Sequence, residues 1–301
     1  MPELPEVETI RRGLQQVLCN RVIATVDCVD SPKSFPNDQN AVEQCVYGTM
    51  VTAVRRRAKM LLIDLSSGYS LVIHLKMTGQ LVYRGSEAFG GGHPTDSLIG
   101  KLPDRSTRVI LTLADGSHLF FNDQRKFGWM KLIPTIEIPN IDFMKKVGPE
   151  PLEDSFTPQE FILRVRRRSN TSIKAAILDQ TVLAGVGNIY ADESLWGAKL
   201  HPAAWVRDVT DAQLSLLLQE IKFVMNLSID KGGSTDRNYV NAEGKRGSYI
   251  DFARVFRKEG TPCPRHAEVP IEKIKVAGRG THICPACQQD YTKDNDISAN
   301  R

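Results

Sequence analysis

The hydrophobic pattern divides the chain into a first half typical of strands and a second half typical of helices. From Pro5 to Leu18 the apolar residues recur at helical spacing, which predicts an amphipathic first helix. After it, short runs rich in Val, Ile and Leu alternate with turn sequences such as Ser66–Gly68 and Ala114–Gly116. The predicted strands are Arg21–Asp30, Met50–Arg57, Met60–Leu65, Ser70–Leu75, Gln80–Tyr83, Arg108–Leu113, His118–Asn122 and Gly128–Leu132. Many short strands joined by hairpin turns indicate an antiparallel sandwich or barrel.

Two segments rich in glycine and proline interrupt this pattern. Gly85–Pro103 includes Gly90, Gly91 and Gly92, and its composition predicts a mobile surface loop. Gly148–Pro151 is typical of a linker, and the pattern beyond it is helical. The predicted helices of this half are Pro158–Arg168, Ser172–Leu178, Ile189–Trp196 and Asp211–Asp230.

These elements predict an α+β multidomain fold. An N-terminal antiparallel β-sandwich flanked by helices would be followed by a helical domain and a small C-terminal module. The predicted boundaries are 2–147 for the sandwich, 148–157 for the linker, 158–253 for the helical domain, 254–290 for the small module and 291–301 for a tail.

The composition fits a soluble globular protein. Of the 301 residues, 41% are hydrophobic and 25% are charged, and no apolar run approaches the ~20 residues of a membrane span. The N-terminus carries acids and prolines where a signal peptide would have a basic and then an apolar stretch. We therefore expect a cytoplasmic protein.

The basic residues are clustered, although the net charge is only +4. Separate basic patches suit a polyanion such as nucleic acid, while any one cluster alone could be a solvated face. The clusters are Arg55–Arg57 with Lys59; Arg164 with Arg166, Arg167 and Arg168; Lys245 with Arg246; and Arg254, Arg257, Lys258 and Arg265.

The N-terminus offers a candidate nucleophile. If Met1 is removed, Pro2 carries a free secondary amine, and an α-amino group titrates near pH ~8. Such an amine can form an iminium with a carbonyl-type carbon, and the adjacent Glu3 could move protons. On these residues alone, an ordinary chain start before a helix is the favoured interpretation.

The C-terminal module carries a candidate metal site. Cys263 and His266 form one knuckle, and Cys284 and Cys287 form a second, in the pattern C-x2-H-x17-C-x2-C. Four thiolate and imidazole ligands predict one structural Zn²⁺ in a ribbon, with a hairpin over Ala267–Ile283. His282 is an alternative fourth ligand, and a ribbon that folds without metal is another possibility.

Three distant segments together resemble the formamidopyrimidine-DNA glycosylase family, the bacterial base-excision enzymes for 8-oxoguanine and formamidopyrimidines. Pro2–Thr9 resembles the N-terminus of that family, and Leu183–Ser194 resembles its helix-two-turn-helix signature. The ribbon with Arg279, which lies between two glycines, resembles its zinc finger. The likeness extends from Pro2 to about Gln289.

The resemblance implies a role for each matching residue. Pro2 would be the nucleophile, Glu3 the acid/base group, and Lys59 and Arg279 would bind phosphates next to the lesion. His74 and Asn188 would also contact the DNA backbone. Met77, Arg125 and Phe127 would fill the gap left by the everted base, and the loop Ser234–Tyr249 would close on that base. Without the resemblance, simpler roles remain open: an N-cap for Asn188, core positions for Met77, Phe127 and His74, and a strand-edge charge for Lys59.

The sequence departs from the family pattern at several positions. His266 stands where cysteine is usual, which bears on metal affinity. Lys126 follows Arg125 where a second arginine is common, and Phe256 replaces an expected tyrosine. The Gly85–Pro103 segment has the character of an insertion or a local divergence.

The resemblance implies a bifunctional DNA glycosylase and abasic-site lyase for oxidised purines, acting by β,δ-elimination in base excision repair. Its partner would be damaged double-stranded DNA, and its cofactor one structural Zn²⁺. We expect a monomer in the bacterial cytoplasm or nucleoid. We expect no nucleotide cofactor, because the chain has neither a P-loop nor a GxGxxG motif. The alternatives are an endonuclease VIII-like glycosylase for oxidised pyrimidines and a catalytically inert DNA-binding protein with a zinc ribbon.

Overall fold

The computed structural model describes residues 2–29, 31–234 and 249–289, and it divides into two compact units. The first unit contains the residues up to Lys145 together with Ser228–Tyr249. The second contains Lys146–Leu227 and the residues from Ile250 onward. The finer domain boundaries expected from the sequence, with a linker and a tail, stay a prediction.

The first unit is an antiparallel β-sandwich. Its strands are β1 (Ile23–Cys28), β2 (Val51–Arg57), β3 (Met60–Leu65), β4 (Tyr69–His74), β5 (Gly79–Arg84), β6 (Ala88–Gly92), β7 (Thr107–Leu113), β8 (His118–Asp123) and β9 (Trp129–Pro134). Five of them form a sheet in the order β1-β7-β8-β5-β6, and four form a sheet in the order β2-β3-β4-β9. Apolar side chains of both sheets form one core, which includes Leu61, Ile63, Leu71, Ile73, Leu81, Val109, Leu111 and Phe121.

Helix α1 (Leu4–Leu18) closes this core and begins at the predicted candidate nucleophile. Val7, Ile10, Leu14 and Val17 are buried in the sandwich core, as the helical spacing predicted. Glu3 is the N-cap residue, and Pro5 in the first turn has no N–H that needs a partner. Two further helices of this part of the chain, α2 (Gln39–Cys45) and α3 (Asp142–Lys146), were not predicted.

The prediction of a surface loop over Gly85–Pro103 was wrong. Strand β6 lies within this segment, pairs with β5 and buries Phe89. Gly90, Gly91 and Gly92 have no side chains, so the sequence of this segment shows no alternating pattern. Its close packing against α1 depends on a missing side chain in the helix. A Cβ atom at Gly13 of α1 would lie only 2.0 Å from the Phe89 ring, so the helix and the strand fit together through a glycine.

The second unit contains α4 (Pro158–Arg166), α5 (Ile173–Leu178), α6 (Asn188–Gly197) and most of α7 (Asp211–Asp230); α8 (Tyr249–Phe252) begins at the last residue of the first unit. The predicted start of α4 is confirmed, since the Thr157 hydroxyl accepts the Glu160 N–H at 3.2 Å. Between α5 and α6, the Gln180 side chain donates to the carbonyl of Val186 and accepts the N–H of Gly185, both at 2.9 Å. This side chain fixes the tight turns of the expected helix-two-turn-helix.

The ribbon consists of two short hairpins where one was predicted. Strands β10 (Pro262–Cys263) and β11 (His266–Pro270) form the first, and β12 (Glu272–Val276) and β13 (Arg279–Ile283) form the second. Its small core combines the three cysteines with Trp196, Val255 and Ile271. Among the described residues, no helix combines the length and the apolar character that crossing a bilayer requires.

Candidate catalytic and nucleic-acid-binding sites

The candidate catalytic segment Pro2-Glu3 is held in place by the carboxylate of Glu6, a residue whose role the sequence alone did not reveal. Pro2 and Glu3 are both buried at the start of α1. The Glu3 N–H donates to one oxygen of Glu6 at 2.8 Å, and the Ser234 N–H donates to the other at 2.8 Å. Glu6 therefore links the segment that carries the candidate nucleophile to Ser234, which directly precedes residues 235–248. Those residues, which make up most of the predicted capping loop, lie outside the described chain.

Lys59 and His74 meet at the end of the four-stranded sheet. Lys59 lies in the turn between β2 and β3, and the next residue, Met60, pairs with His74 across the sheet. Burial lowers the pKa of His74 from 6.5 to about 3, and the charges of Lys76 and Lys59 add to the effect. The imidazole is therefore neutral at physiological pH.

The protonated nitrogen of His74 follows from its hydrogen bond. Nδ1 accepts the backbone N–H of Lys76 at 3.0 Å, so the single proton resides on Nε2. A neutral imidazole in this tautomer can donate to a phosphate oxygen. Lys59 is buried, which argues against a simple strand-edge charge.

Met77 and Phe127 are surface residues, so the alternative core roles do not apply. Met77 is 40% exposed and Phe127 is 54% exposed. The guanidinium carbon of Arg125 lies 4.7 Å from the centre of the Phe127 ring, a cation–π arrangement. An apolar pair with one cation at the surface of the sandwich suits insertion into a gap in a base stack.

The loops that carry this trio are organised by Asp123, whose role the sequence did not reveal. Asp123 is fully buried, and its carboxylate accepts the N–H of Gly128 at 2.6 Å and of Arg125 at 3.2 Å. It also accepts the hydroxyl of Thr78, the residue after Met77. One carboxylate thus fixes the loop before β5 against the loop after β8.

In the second unit, Asn188 and Arg279 lie on adjacent segments. Asn188 is the first residue of α6, and Gly187 is the N-cap, so Asn188 is not the cap. Its amide nitrogen donates to the Gly280 carbonyl at 3.0 Å. Arg279 is exposed and follows a turn in which Ala277 and Gly278 have φ values of 50° and 75°. Two predicted phosphate contacts therefore flank the same hairpin tip.

A buried ion pair between α5 and α6 supports this hairpin through hydrogen bonds to β13. Lys174 of α5 donates to Asp192 of α6 at 2.5 Å and to the Thr281 hydroxyl at 2.7 Å. The second oxygen of Asp192 accepts the backbone N–H of His282 at 2.9 Å and lies 3.1 Å from its Nδ1. One ring nitrogen of His282 is thus engaged by Asp192, and the cluster of candidate ligand atoms found among the described residues contains His266 rather than His282.

The four predicted metal ligands come together. Ligand atoms of Cys263, His266, Cys284 and Cys287 all lie within 4.8 Å of one another, and the sulfurs of Cys263 and Cys287 are 3.7 Å apart. Tetrahedral zinc with bonds of ~2.3 Å to sulfur places two thiolates about 3.8 Å apart. The donor set and its spacing therefore fit Zn²⁺.

The charges of the site also favour a cation. Burial and the neighbouring thiols raise the pKa of Cys287 to about 12, so the three thiols cannot all ionise without a metal. Burial opposes ionisation of Cys263 too, but the Arg265 backbone N–H, which donates to the sulfur at 3.4 Å, and the nearby Trp196 indole lower its pKa to about 6. The indole nitrogen of Trp196 is buried without a regular hydrogen-bond partner among the described residues. A metal-bound thiolate at Cys263 would be the acceptor that this N–H lacks.

Sequence profiles of known domains match most of the chain. Residues 1–130 match the formamidopyrimidine-DNA glycosylase N-terminal domain, and residues 147–239 match the helix-two-turn-helix (H2TH) domain of that enzyme. Residues 269–289 match a zinc finger found in FPG and IleRS. The chain belongs to the formamidopyrimidine-DNA glycosylase family. Members of this family are DNA glycosylases of base excision repair, and abasic-site lyase activity is typical of them.

Relatives and solved structures agree with this assignment over the full length. The formamidopyrimidine-DNA glycosylase of Desulforamulus reducens is 42% identical over 292 residues, covering 96% of this chain and 99% of that protein. The enzyme of Pediococcus pentosaceus is 39% identical over 288 residues, with the same coverage of both chains. Lactococcus lactis Fpg, solved in complex with DNA that contains an abasic site, is 32% identical with a TM-score of 0.84, covering 96% of this chain and all of that one.

Proposed function

We propose that this chain is a bifunctional glycosylase and abasic-site lyase that removes oxidised purines, namely 8-oxoguanine and formamidopyrimidines, from duplex DNA. The observation that carries the proposal is the buried Pro2-Glu3 pair at the start of α1, held through Glu6. The match to Lactococcus lactis structures whose DNA contains an abasic site or Fapy-dG supports the substrate class.

The proposed chemistry begins at the secondary amine that Pro2 carries once Met1 is removed. Its nitrogen bonds to C1′ while the damaged base leaves with the electrons of the glycosidic bond, and the nitrogen then gives up its own proton, which frees the electron pair needed for the next step. Glu3 delivers a proton to the ring oxygen O4′, so that the sugar opens and an iminium links Pro2 to C1′. Loss of a C2′ proton then breaks the C3′–O bond, and a second elimination breaks the C5′–O bond, which is β,δ-elimination.

The remaining candidates bind and open the duplex. A base must leave the stack before its C1′ can be reached, at a cost of a few kcal/mol. Lys59, His74, Asn188 and Arg279 contact phosphates around the lesion and supply sequence-independent affinity. The gap left by the everted base is filled by Met77, Arg125 and Phe127. This trio also provides a hydrogen-bond donor for the base of the opposite strand, which is now unpaired.

One structural zinc held by Cys263, His266, Cys284 and Cys287 completes the proposal. When bound, the metal supplies folding energy to the ribbon and performs no chemistry, because four protein ligands leave no open position. The chain would act as a monomer in the bacterial cytoplasm and require no nucleotide cofactor. Size-exclusion chromatography with light scattering, and activity in buffer without nucleotides, test these two points.

Borohydride trapping on a duplex that contains 8-oxoguanine tests the central claim. We expect a covalent adduct that maps to the Pro2 peptide, and an intact mass that lacks Met1. The Glu3→Gln variant keeps the shape of the side chain but cannot donate this proton, so it should bind the duplex and fail to excise the base. Full-rate strand cleavage by a chain that retains Met1 would contradict the mechanism.

A panel of lesions separates the proposal from its alternatives. Preferential excision of oxidised pyrimidines would identify an endonuclease VIII-like enzyme. Tight binding of every duplex with no adduct would identify an inert DNA-binding protein. Excision of 8-oxoguanine and formamidopyrimidines in preference to pyrimidine lesions is the expected result.

A further inference from the structure

The basic cluster between positions 164 and 168 separates into one structural arginine and three that line a cavity. The Arg166 guanidinium donates to the carbonyls of Val206 and Val209, each at 2.6 Å, and to Asp211 at 2.6 Å. Through these contacts Arg166 fixes the chain segment that leads into α7. It is therefore not available to a ligand.

The other three arginines surround a cavity of about 250 Å³. Its lining is completed by Thr181 and Val182, at the start of the loop that leads to α6. At a share of ~30 Å³ per liquid water, the cavity has room for several waters or for a phosphate group.

The charges at this cavity leave one cation in surplus. Arg164 pairs with Glu160 at 3.0 Å, and Arg168 pairs with Asp179 at 2.5 Å. Burial opposes ionisation of Asp179, but hydrogen bonds from Thr181 and the charge of Arg168 outweigh it and lower the pKa of Asp179, so this carboxyl is ionised. Arg167 has no side-chain ion pair or hydrogen bond among the described residues and is exposed. Three guanidiniums against two carboxylates leave a single positive charge.

We propose that this cavity, lined by Arg164, Arg167, Arg168 and Thr181, binds one phosphate group of the DNA backbone away from the lesion. A phosphodiester carries one negative charge, which matches the surplus, and guanidinium forks bind phosphate oxygens in pairs. The loop that provides Thr181 ends at Asn188, which the proposed function assigns to the backbone near the lesion. The inference rests on that function, since it extends the same DNA contact along the duplex.

Arg167→Ala tests the cavity, with Arg207→Ala as the matched control. Arg207 is an exposed arginine of the same unit that stacks on Trp205 and does not line the cavity. Binding to a duplex with an abasic-site analogue is measured across a fourfold range of salt, for a long duplex and for the shortest one that is still cleaved. Loss of one phosphate contact should lower the slope of log affinity against log salt by about 0.9 on the long duplex. That change corresponds to about 3.5-fold over this salt range.

The short duplex should bind the variant and the wild type equally, and Arg167→Lys should retain most of the slope. An unchanged slope on the long duplex, or an equal loss with Arg207→Ala, overturns the proposal. Inorganic phosphate separates the two sources of a phosphate group. If it raises the melting temperature of the wild type but not of Arg167→Ala, while both bind DNA alike, the cavity is a small-anion site and the DNA proposal is wrong. The same two duplexes made with 8-oxoguanine in place of the analogue test the proposed function separately, and absence of a borohydride-trapped adduct on both would count against that function.

Discussion

Lys174 Nζ lies 2.5 Å from Asp192 Oδ1, and both side chains are fully buried. The pair joins α5 to α6, and its remaining bonds reach Thr281 and His282 of β13. Arg279 is the first residue of the same strand. The placement of this predicted phosphate contact therefore depends on an ion pair that no ligand touches.

Breaking this pair should destabilise the second unit strongly. Lys174→Met leaves the Asp192 carboxylate buried without its cation, which costs about 3–5 kcal/mol in comparable pairs. The measurement is urea unfolding followed by far-UV circular dichroism. The double variant Lys174→Met/Asp192→Leu removes both charges and should recover part of the loss. If the double variant is less stable than the single one, packing rather than charge governs this site.

His74 should make the stability of the first unit depend on pH. Its pKa is about 3 in the folded chain and 6.5 when the residue is free. Between these values the unfolded chain binds one more proton than the folded chain, so stability falls as the pH drops from 6.5 towards 3. The contribution is up to about 5 kcal/mol at 1.36 kcal/mol per unit. His74→Gln should flatten this part of the profile, measured by urea unfolding at several pH values. A variant profile as steep as that of the wild type would contradict the assignment.

Periodicity was sufficient for elements whose side chains alternate or recur. The predicted bounds of β3 and α7 are the observed ones: burial along α7 recurs at helical spacing, while β3 is a short apolar run that is buried at nearly every position. β6 was missed for the opposite reason. Gly90, Gly91 and Gly92 have no side chains to alternate, and the burial of this strand depends on Phe89 packing over Gly13, far away in sequence.

In the candidate site too, residues that belong to short motifs could be predicted, whereas residues that act through distant parts of the chain could not. Pro2, Glu3 and the four candidate metal ligands belong to short motifs, so the sequence alone was enough to predict them. The residues that position them were missed, because their partners are distant along the chain. Thr78 is 45 residues from Asp123, Lys174 is 18 from Asp192, and Glu6 is 228 from Ser234. Only the folded chain reveals such pairs.

Trp196 should strengthen metal binding through its indole N–H. A group that donates to a metal ligand typically contributes 10- to 100-fold in affinity. Trp196→Phe keeps an aromatic ring beside Arg265, whose guanidinium carbon lies 3.8 Å from the ring centre, and removes the donor together with part of the ring. We expect zinc to be lost to a chelator at lower chelator concentration in this variant. Trp205→Phe is the control, because this exposed tryptophan is not part of the ribbon core. Equal zinc retention by both variants would show that the indole N–H does not contribute.

Gly13→Ala should destabilise the sandwich although alanine favours a helix. The added Cβ would lie 2.0 to 2.6 Å from three atoms of the buried Phe89 ring, and overpacking of this kind costs about 1–3 kcal/mol. Helix propensity returns about 1 kcal/mol, so we expect a net loss of up to about 2 kcal/mol by urea unfolding. Gln16→Ala on the exposed face of α1 should change stability by less than about 0.5 kcal/mol. In the background of Phe89→Leu, the cost of Gly13→Ala should fall; an undiminished cost would mean that the ring is not the obstacle.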